Sequence, residues 1–392
     1  MISQHVSLVI EGIKNGNDGV DIMQENPTRE ALFLPFMQIP TGHHHVADTL
    51  MEYVQKTDHP LNCRKIDILS YSFGRIESVV SGTYLKWINA LPQAYDGLYR
   101  YLAVKNLSKR KRQHVYEMLF SYSFKKLLQE RSPTILFCTH ALPSNLASVL
   151  KKKKQLDSIV VNVYTDYFVN RVWGIDGIDY HFAPTVEVKD FLLDLGVAKN
   201  KIFITGIPVH EAFHMEQNRK LNSKRYSILV TGGSLGVGRM EKLITRMEAS
   251  KDIDYYILCG KNEKLYQTLH AKNVNHINPI SYVESKWEMN ELYNKVDAVI
   301  TKAGGVTISE CLMKKKPIFV CHALPGQEKV NEDRLKKLGL VIPLEVDGIP
   351  IDQQVKTFLT NAQSRKQYEQ KLQIYHENLV NESIPYILSR IC

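Results

Sequence analysis

Short apolar runs alternate with amphipathic segments along most of the chain. Runs of this length predict buried parallel strands, and the segments between them predict crossover helices. In the first half the predicted strands are 31–39, 63–70, 133–138, 158–164, 180–184 and 201–209. Strict alternation of strands and helices predicts an α/β fold with a doubly wound parallel sheet.

The same alternation restarts after the polar and basic residues 211–224, which predict a linker. The apolar runs of this second half begin at Ser227, Tyr255, Val274, Val296 and Pro317. A chain of 392 residues also exceeds the size at which single cores stop growing. Two domains are therefore predicted.

The predicted domains are 31–210 and 225–352, with a cleft between them. Residues 1–30 contain turn signals without clear periodicity, and we leave them as an unassigned N-terminal extension. The polar tail 353–392 has a helical pattern, and we expect it to pack back on the first domain.

Bulk composition adds a hint about partners. The net charge of +9 favours a phosphate-bearing substrate, an anionic membrane surface or nucleic acid. No nucleic-acid-binding motif accompanies this charge, so we expect one of the first two. The six cysteines form no C-x-x-C pair, and we detect neither a signal peptide nor a run of the ~20 apolar residues that span a bilayer. These signals favour a reducing cytoplasm.

The stretch 296–331 carries the strongest candidate chemistry. An apolar strand leads into Gly304 and Gly305, and a helix is predicted from about Val306. The first N–H groups of a helix have no partner within it, and together with the helix dipole they favour a phosphate. The alternative is an ordinary strand–helix turn whose glycines serve only the backbone.

Polar residues on either side of the next strand favour the first interpretation. Glu310 lies in the predicted helix, where its carboxylate can accept hydrogen bonds from a ribose. Gln327, Glu328 and Asn331 follow the strand at positions i, i+1 and i+4, a spacing suited to the hydroxyls of a sugar. Together they predict a nucleotide-sugar site.

A second glycine-rich turn lies in the same predicted domain. Residues 231–238 (TGGSLGVG) follow a strand and precede a helix, the context that a phosphate-binding loop needs, and Ser234 adds a hydroxyl. The turn lacks the G-K-[ST] of a P-loop. It becomes a stronger candidate for a phosphate-binding loop because Gly304 and Gly305 form a second such turn in the same domain.

Three consecutive histidines, His43, His44 and His45, allow a metal site, a general base or a simple helix cap. Adjacent side chains point in different directions, and we identify no His, Cys or Asp cluster that completes a metal site. A general base is therefore favoured over a metal ligand. Asp252 and Asp254 have the spacing of a metal-binding pair, but they precede a strand, and we expect them on the surface.

An aromatic and basic stretch between residues 73 and 124 suits a membrane interface, where aromatic rings and bases are favoured. The alternative is a set of core aromatics beside a solvated basic loop. The residues expected to meet the acceptor or the membrane are Trp87, Tyr99, Lys109, Arg110, Lys111 and Arg112.

Several motifs together resemble a known family. They are VNVYTDYFVNRVW (161–173), ITGIPV (204–209), CGKN (259–262), ITKAGGVTISE (300–310) and PGQEKVN (325–331). In these the chain resembles the processive diacylglycerol glucosyltransferases and monogalactosyldiacylglycerol synthases, which are related to the MurG-type N-acetylglucosaminyltransferases. The resemblance covers roughly residues 31–385 and implies a GT-B fold of two Rossmann-like domains.

The resemblance also implies inverting transfer of a hexose from a UDP-sugar to a lipid, either diacylglycerol or a glycosyldiacylglycerol, at the cytoplasmic membrane face. It implies no metal and no resident cofactor. His45 is expected to be the base, and Asp166 to orient the site or contact the acceptor. The residues expected to bind the donor are Gly232, Gly233, Ser234, Gly304, Gly305 and Thr307 for the diphosphate, Val283 for uracil, Glu310 for ribose, and Gln327, Glu328 and Asn331 for the sugar.

Two departures from the family pattern affect the acceptor side. His44 stands where we expect a glycine, and Asn170 stands where a histidine is common. Two alternatives therefore stay open: a UDP-sugar 2-epimerase of the same fold, and a nucleotide-sugar-binding protein without catalytic activity.

Overall fold

The computed structural model describes residues 29–36, 42–58, 61–74, 114–170, 172–215, 225–232, 240–247, 252–322, 326–345 and 347–392. Within these ranges the chain forms two parallel sheets of six strands each, with helices packed on both. This is the GT-B architecture of two Rossmann-like domains, as the sequence predicts.

The strands of the first sheet are β1 (Glu30–Leu34), β2 (Asn62–Lys65), β3 (Ile135–Cys138), β4 (Ile159–Val163), β5 (Tyr180–Ala183) and β6 (Ile202–Ile204). Their order across the sheet is β2-β1-β3-β4-β5-β6, and every pair is parallel. The helices of this domain are α1 (Gly42–Gln55), α2 (Ile68–Phe73), α3 (His114–Arg131), α4 (Ala141–Lys152) and α5 (Val186–Asp194).

The strands of the second sheet are β7 (Tyr226–Thr231), β8 (Ile253–Leu258), β9 (Ile277–Ile280), β10 (Ala298–Lys302), β11 (Ile318–His322) and β12 (Ile342–Pro343). Their order is β12-β11-β10-β7-β8-β9, again parallel throughout. The remaining helices are α6 (Met240–Thr245), α7 (Glu263–Lys272), α8 (Lys286–Lys295), α9 (Gly305–Met313), α10 (Gln327–Leu338), α11 (Ile351–Thr360), α12 (Ala362–Asn378) and α13 (Ile384–Ile391).

Three predicted element boundaries are wrong for a visible reason, and the strand predicted over 201–209 also ends early, at Ile204. The strand predicted over 31–39 ends at Leu34, before Pro35, which cannot donate to a strand ladder. The strand predicted over 63–70 ends at Lys65, because Asp67 caps a helix: its carboxylate accepts the Leu69 N–H at 2.9 Å.

The third boundary concerns the predicted linker. Its first residues, Glu211–His214, form a 3-10 helix, and Phe213 is buried against Tyr293 of α8 with ring centroids 5.6 Å apart. Residues 216–224 of the predicted linker lie outside the described residues.

The polar tail contacts both domains. The Tyr368 hydroxyl of α12 donates to the carbonyls of Lys316 and Leu340 in the second domain, at 3.0 Å and 3.2 Å. The chain then returns to the first domain: the Val380 N–H donates to Ile204 O at 2.8 Å, and α13 packs against α1. The tail therefore braces the helix that begins at Gly42.

None of the helices in the described ranges is long and apolar enough to cross a membrane. The six cysteines are all free thiols.

Candidate active site

The two sheets meet through the loops at the carboxyl ends of their central strands. Helix α9 begins directly after β10, and its N-cap, Gly304, has extended backbone and no side chain that caps the helix. The first N–H groups of α9 are therefore available to an anion. The sequence predicts a diphosphate there.

The loop after β4 lies directly on the start of α9. A Cβ placed on Gly305 would fall inside the van der Waals surface of Thr165 O and lie 3.1 Å from Ile207 Cδ1. Gly42, at the start of α1, is similarly close to Val306, whose Cγ2 would lie 3.1 Å from an added Cβ. The domains are thus closed on each other here, and glycine permits the approach.

Asp166 joins the two domains through a buried polar network. Its carboxylate accepts a hydrogen bond from Asn331 Nδ2 at 2.7 Å and another from Gln327 Nε2. The Tyr167 N–H donates to Asn331 Oδ1 at 2.8 Å, and the Tyr167 hydroxyl lies 2.6 Å from Ser309 Oγ. Burial raises the pKa of Asp166 to about 6, although the two amide hydrogen bonds oppose the shift.

Glu310 is held by two partners inside the second domain. The Tyr293 hydroxyl donates to its Oε2 at 2.9 Å, and Lys286 Nζ lies 3.7 Å from Oε1. Burial raises the pKa of Glu310, while Lys286 and Tyr293 act in the opposite direction. Nearby, Lys302 pairs with Glu328 at 2.7 Å. The carboxylate expected at the ribose is therefore oriented before any ligand arrives.

The three histidines occupy the first turn of α1. His43 Nδ1 lies 2.8 Å from Thr139 O and 2.9 Å from Thr165 Oγ1. A carbonyl can only accept, so Nδ1 carries the proton and Nε2 keeps its lone pair. Burial lowers the pKa of His43 to about 4. His43 is thus a neutral imidazole with a fixed tautomer beside the Thr165–Asp166 loop.

His45 lies on another side of the same turn. Its pKa is also lowered to about 4, mainly by burial and to a smaller extent by the nearby positive charge of Lys286. His44 is half-buried between the two. In the described residues, no group of three or more His, Cys, Asp or Glu side chains is arranged to hold a metal ion.

Comparison with known proteins identifies the family. The profile of monogalactosyldiacylglycerol (MGDG) synthase matches residues 43–209, and that of the glycosyltransferase family 28 C-terminal domain matches residues 227–381. The uncharacterized glycosyltransferase YkoN of Bacillus subtilis is 43% identical over 367 residues, covering 93% of this chain and 97% of YkoN. The chain belongs to the monogalactosyldiacylglycerol synthase family of glycosyltransferases.

Two further comparisons concern a named relative and the fold. The processive diacylglycerol beta-glucosyltransferase of Bacillus cereus is 28% identical over 320 residues, covering 78% of this chain and 80% of that protein. The crystal structure of MurG from Acinetobacter baumannii superimposes with a TM-score of 0.58 at 12% identity, covering 93% and 99% of the two chains. The latter likeness supports the GT-B fold alone. The chain is thus a glycosyltransferase related to the diacylglycerol glucosyltransferases.

The other residues predicted for this glycosyltransferase site are distributed as follows. Gly232 is buried at the end of β7, and Val283 and Thr307 are half-buried. Asn170 Oδ1 accepts the Val172 N–H at 3.1 Å, so this departure from the family pattern serves a local turn. The predicted residues outside the described ranges are Gly233, Ser234, Trp87, Tyr99, Lys109, Arg110, Lys111 and Arg112.

The acidic pair has a structural role, and Asp254 lies inside β8 and not before it as predicted. Asp254 accepts from Arg225 Nε at 2.8 Å, and Asp252 pairs with Lys356 of α11. Both contacts are at the surface, as the sequence predicts.

Sequence reasoning missed several residues that shape the site. The start of α1 at Gly42 directs attention to His43, the first side chain of the helix, and the family match also begins there. Tyr293, the partner of Glu310, gives no signal in the sequence because a buried tyrosine looks like any other core residue. The same holds for Tyr167.

Proposed function

We propose that the protein transfers a hexose from a UDP-sugar to a hydroxyl of a lipid acceptor, with inversion at the anomeric carbon. The acceptor is diacylglycerol or a glycosyldiacylglycerol, and the protein works peripherally at the cytoplasmic face of the membrane. The name of the Bacillus cereus relative supports the acceptor class. The net charge of +9 supports an anionic membrane surface.

The observation behind this proposal is that groups from the two domains meet where the domains are closed on each other. We call this contact region the seam. The second domain contributes Glu310, Gln327 and the start of α9. The first contributes a neutral imidazole with its lone pair fixed on Nε2. Together they supply nucleotide-sugar binding and a proton acceptor, which are the two requirements of glycosyl transfer.

In the proposed mechanism, the imidazole removes the proton of the acceptor hydroxyl as its oxygen attacks the anomeric carbon in line. The C–O bond to the diphosphate breaks and UDP leaves. The N–H groups at the start of α9 and the loop after β7 meet the charge on the diphosphate, as preorganised donors do in other active sites. Glu310 accepts from the ribose, the backbone of Val283 meets uracil, and Gln327 and Glu328 contact the sugar. No metal ion or resident cofactor takes part.

The geometry favours His43 over His45 as the base. Thr139 O orients the His43 ring, much as a general base is oriented by a third group in other enzymes. The positive charge of Lys286 disfavours a protonated His45 ring, although Asp48 acts in the opposite direction. We therefore propose His43 as the general base, although the family motif led us to expect His45.

The test uses the full chain with vesicles that contain diacylglycerol and an anionic phospholipid. UDP-glucose, UDP-galactose and UDP-N-acetylglucosamine are supplied in turn, and UDP release and glycolipid are measured. We expect lipid-dependent release with one donor, a product of inverted anomeric configuration by NMR, and less activity on vesicles without anionic lipid. His43→Ala is expected to lower the rate at least ~100-fold, the usual contribution of a general base.

The alternatives predict other results. Epimerisation of the donor at C2 without glycolipid would identify an epimerase. Donor binding without turnover on any lipid would identify a binding protein. Loss of activity in His45→Ala but not in His43→Ala would identify His45 as the base.

A further inference from the structure

The loop after β4 contacts the opposite domain through Asp166 and Tyr167, while Thr165 contacts His43 and Thr139 of its own domain. Both carboxylate oxygens of Asp166 accept from α10, and the next residue, Tyr167, is bonded to α9 and α10. Asn331 is 1% exposed and Tyr167 2% exposed, so the bond between them is shielded from water, whereas Asp166 and Gln327 are half-buried. We call residues 165–167 the clasp.

The clasp fixes the orientation of two amides. The Tyr167 N–H can only donate, so the Asn331 oxygen faces it and the Asn331 NH2 faces Asp166. At pH 7 Asp166 is ionised, since burial raises its pKa only to about 6, and an ionised carboxylate can only accept. The Gln327 NH2 must therefore face Asp166 too, and its Oε1 points the other way.

We propose that Asp166 is a positioning residue for the donor sugar. From the opposite domain, its carboxylate holds the Gln327 amide with Oε1 turned toward a sugar hydroxyl, while Asn331 anchors the clasp and does not touch the sugar. This inference rests on the proposed function, because it assumes that Gln327 meets the sugar of a nucleotide-sugar donor. It changes the role expected for Asn331, and it makes the sugar pocket complete only when the domains are closed.

Replacing Asp166 with asparagine has a defined consequence. Asn331 cannot turn over, because the Tyr167 N–H needs its oxygen. The new asparagine must then offer its own oxygen to Asn331 and its NH2 to Gln327. Gln327 has to turn its amide over to accept that NH2, and it then presents NH2 to the sugar in place of Oε1. The double variant Asp166→Asn, Gln327→Glu restores an acceptor toward the sugar, because a carboxylate offers oxygen on both sides.

The experiment compares Kd values of UDP and of the UDP-sugars by calorimetry, without acceptor. For the donor that binds best to the wild type, Asp166→Asn is expected to raise the Kd of the UDP-sugar roughly five- to tenfold, the loss typical of one hydrogen bond, while the Kd of UDP changes little. The double variant is expected to recover most of the loss. Gln327→Glu alone brings two carboxylates together and is expected to be the weakest binder.

Tyr167→Phe is the matched control for the clasp. It removes the contact with Ser309 Oγ at 2.6 Å but leaves both amides oriented. A purely structural role of the clasp predicts equal changes in the two Kd values for every variant, and the control is expected to give that pattern.

Three outcomes would overturn the inference. Equal changes for UDP and UDP-sugar in Asp166→Asn would mean that Asp166 only holds the domains together. Tighter UDP-sugar binding would mean that Asp166 occupies the place of the sugar. Failure of the double variant to recover would mean that the Gln327 orientation is irrelevant. A wild type that binds UDP but none of the three sugars would instead overturn the proposed function together with this inference.

Discussion

Replacement of Gly305 by alanine tests whether the closed seam is the working form of the enzyme. Gly305 is the first residue of α9 and has ordinary helical backbone, so alanine suits the helix itself. Alanine is favoured over glycine in helices by about 1 kcal/mol in interior positions and less at the ends. The variant is therefore expected to fold with a melting temperature close to that of the wild type.

The alanine side chain is unfavourable at the contact between the two domains. The new methyl group would overlap Thr165 O and lie 3.1 Å from Ile207 Cδ1 and 3.2 Å from Thr165 C. Favourable contacts between carbon atoms start at about 3.5 Å, so the clasp has to withdraw by about 1 Å. A displacement of that size can reduce a rate ~100-fold when it separates reacting groups. We expect that loss in kcat for Gly305→Ala.

The assay combines turnover with small-angle scattering, which reports how closely the domains approach. Gly304→Ala is the control for shape, because a Cβ on Gly304 meets nothing within 4 Å and its φ of −80° suits alanine. It should keep the wild-type scattering curve. UDP binding should survive in Gly305→Ala, since the nucleotide contacts that we propose come from the second domain. Wild-type kcat in Gly305→Ala would refute the idea that catalysis needs the clasp seated on α9.

Three further predictions concern buried groups. Tyr293→Phe should raise the Kd of UDP roughly tenfold, the loss expected for a hydrogen bond to a charged group, and adding Glu310→Gln should cost little more. His181 is fully buried and burial lowers its pKa to about 3, so between pH 6.5 and 3 the unfolded chain binds a proton that the folded chain does not. Stability is therefore lost as the pH falls, by about 2 kcal/mol at pH 5, and urea unfolding of His181→Phe should show a smaller loss. Leu388→Ala should destabilise the protein by about 2–5 kcal/mol in the same assay, because α13 buries this side chain completely.

The alternation of apolar runs predicted all six strands of the first sheet and five of the second, because strands buried on both faces leave a clear pattern; the two-residue β12 was missed. Ala31–Leu34, for example, are all fully buried. One boundary failed where a single polar residue overrode the pattern. Asp67 ends the extended stretch after β2 by capping α2, and an aspartate cap cannot be distinguished from a surface aspartate by hydropathy.

The candidate site, too, could be inferred from the sequence only in part. The sequence pointed to Glu310 and Gln327 because local spacing places them on one edge of one sheet, and their role around a nucleotide-sugar stays a prediction. The partner of each could not, because Tyr293 and Asp166 come from other elements, and Asp166 is 161 positions away from Gln327 in the chain. The choice between His43 and His45 could not be predicted either, because the groups that distinguish them, Thr139 and Lys286, come from other elements.

The glycine turn after β10 shows why the two half-sites have to be considered together. Its sequence suggests two glycines that admit a phosphate, but only Gly304 faces open space. Gly305 is a glycine because the carbonyl of Thr165 presses on it, and that contact brings Asp166 within reach of Gln327. The absence of a side chain at Gly305 thus looks like a requirement for donor binding, but it is a requirement for close contact between the domains. If Gln327 meets the donor sugar as proposed, recognition of that sugar belongs to both domains, since the second domain supplies the amides and the first decides which way they face.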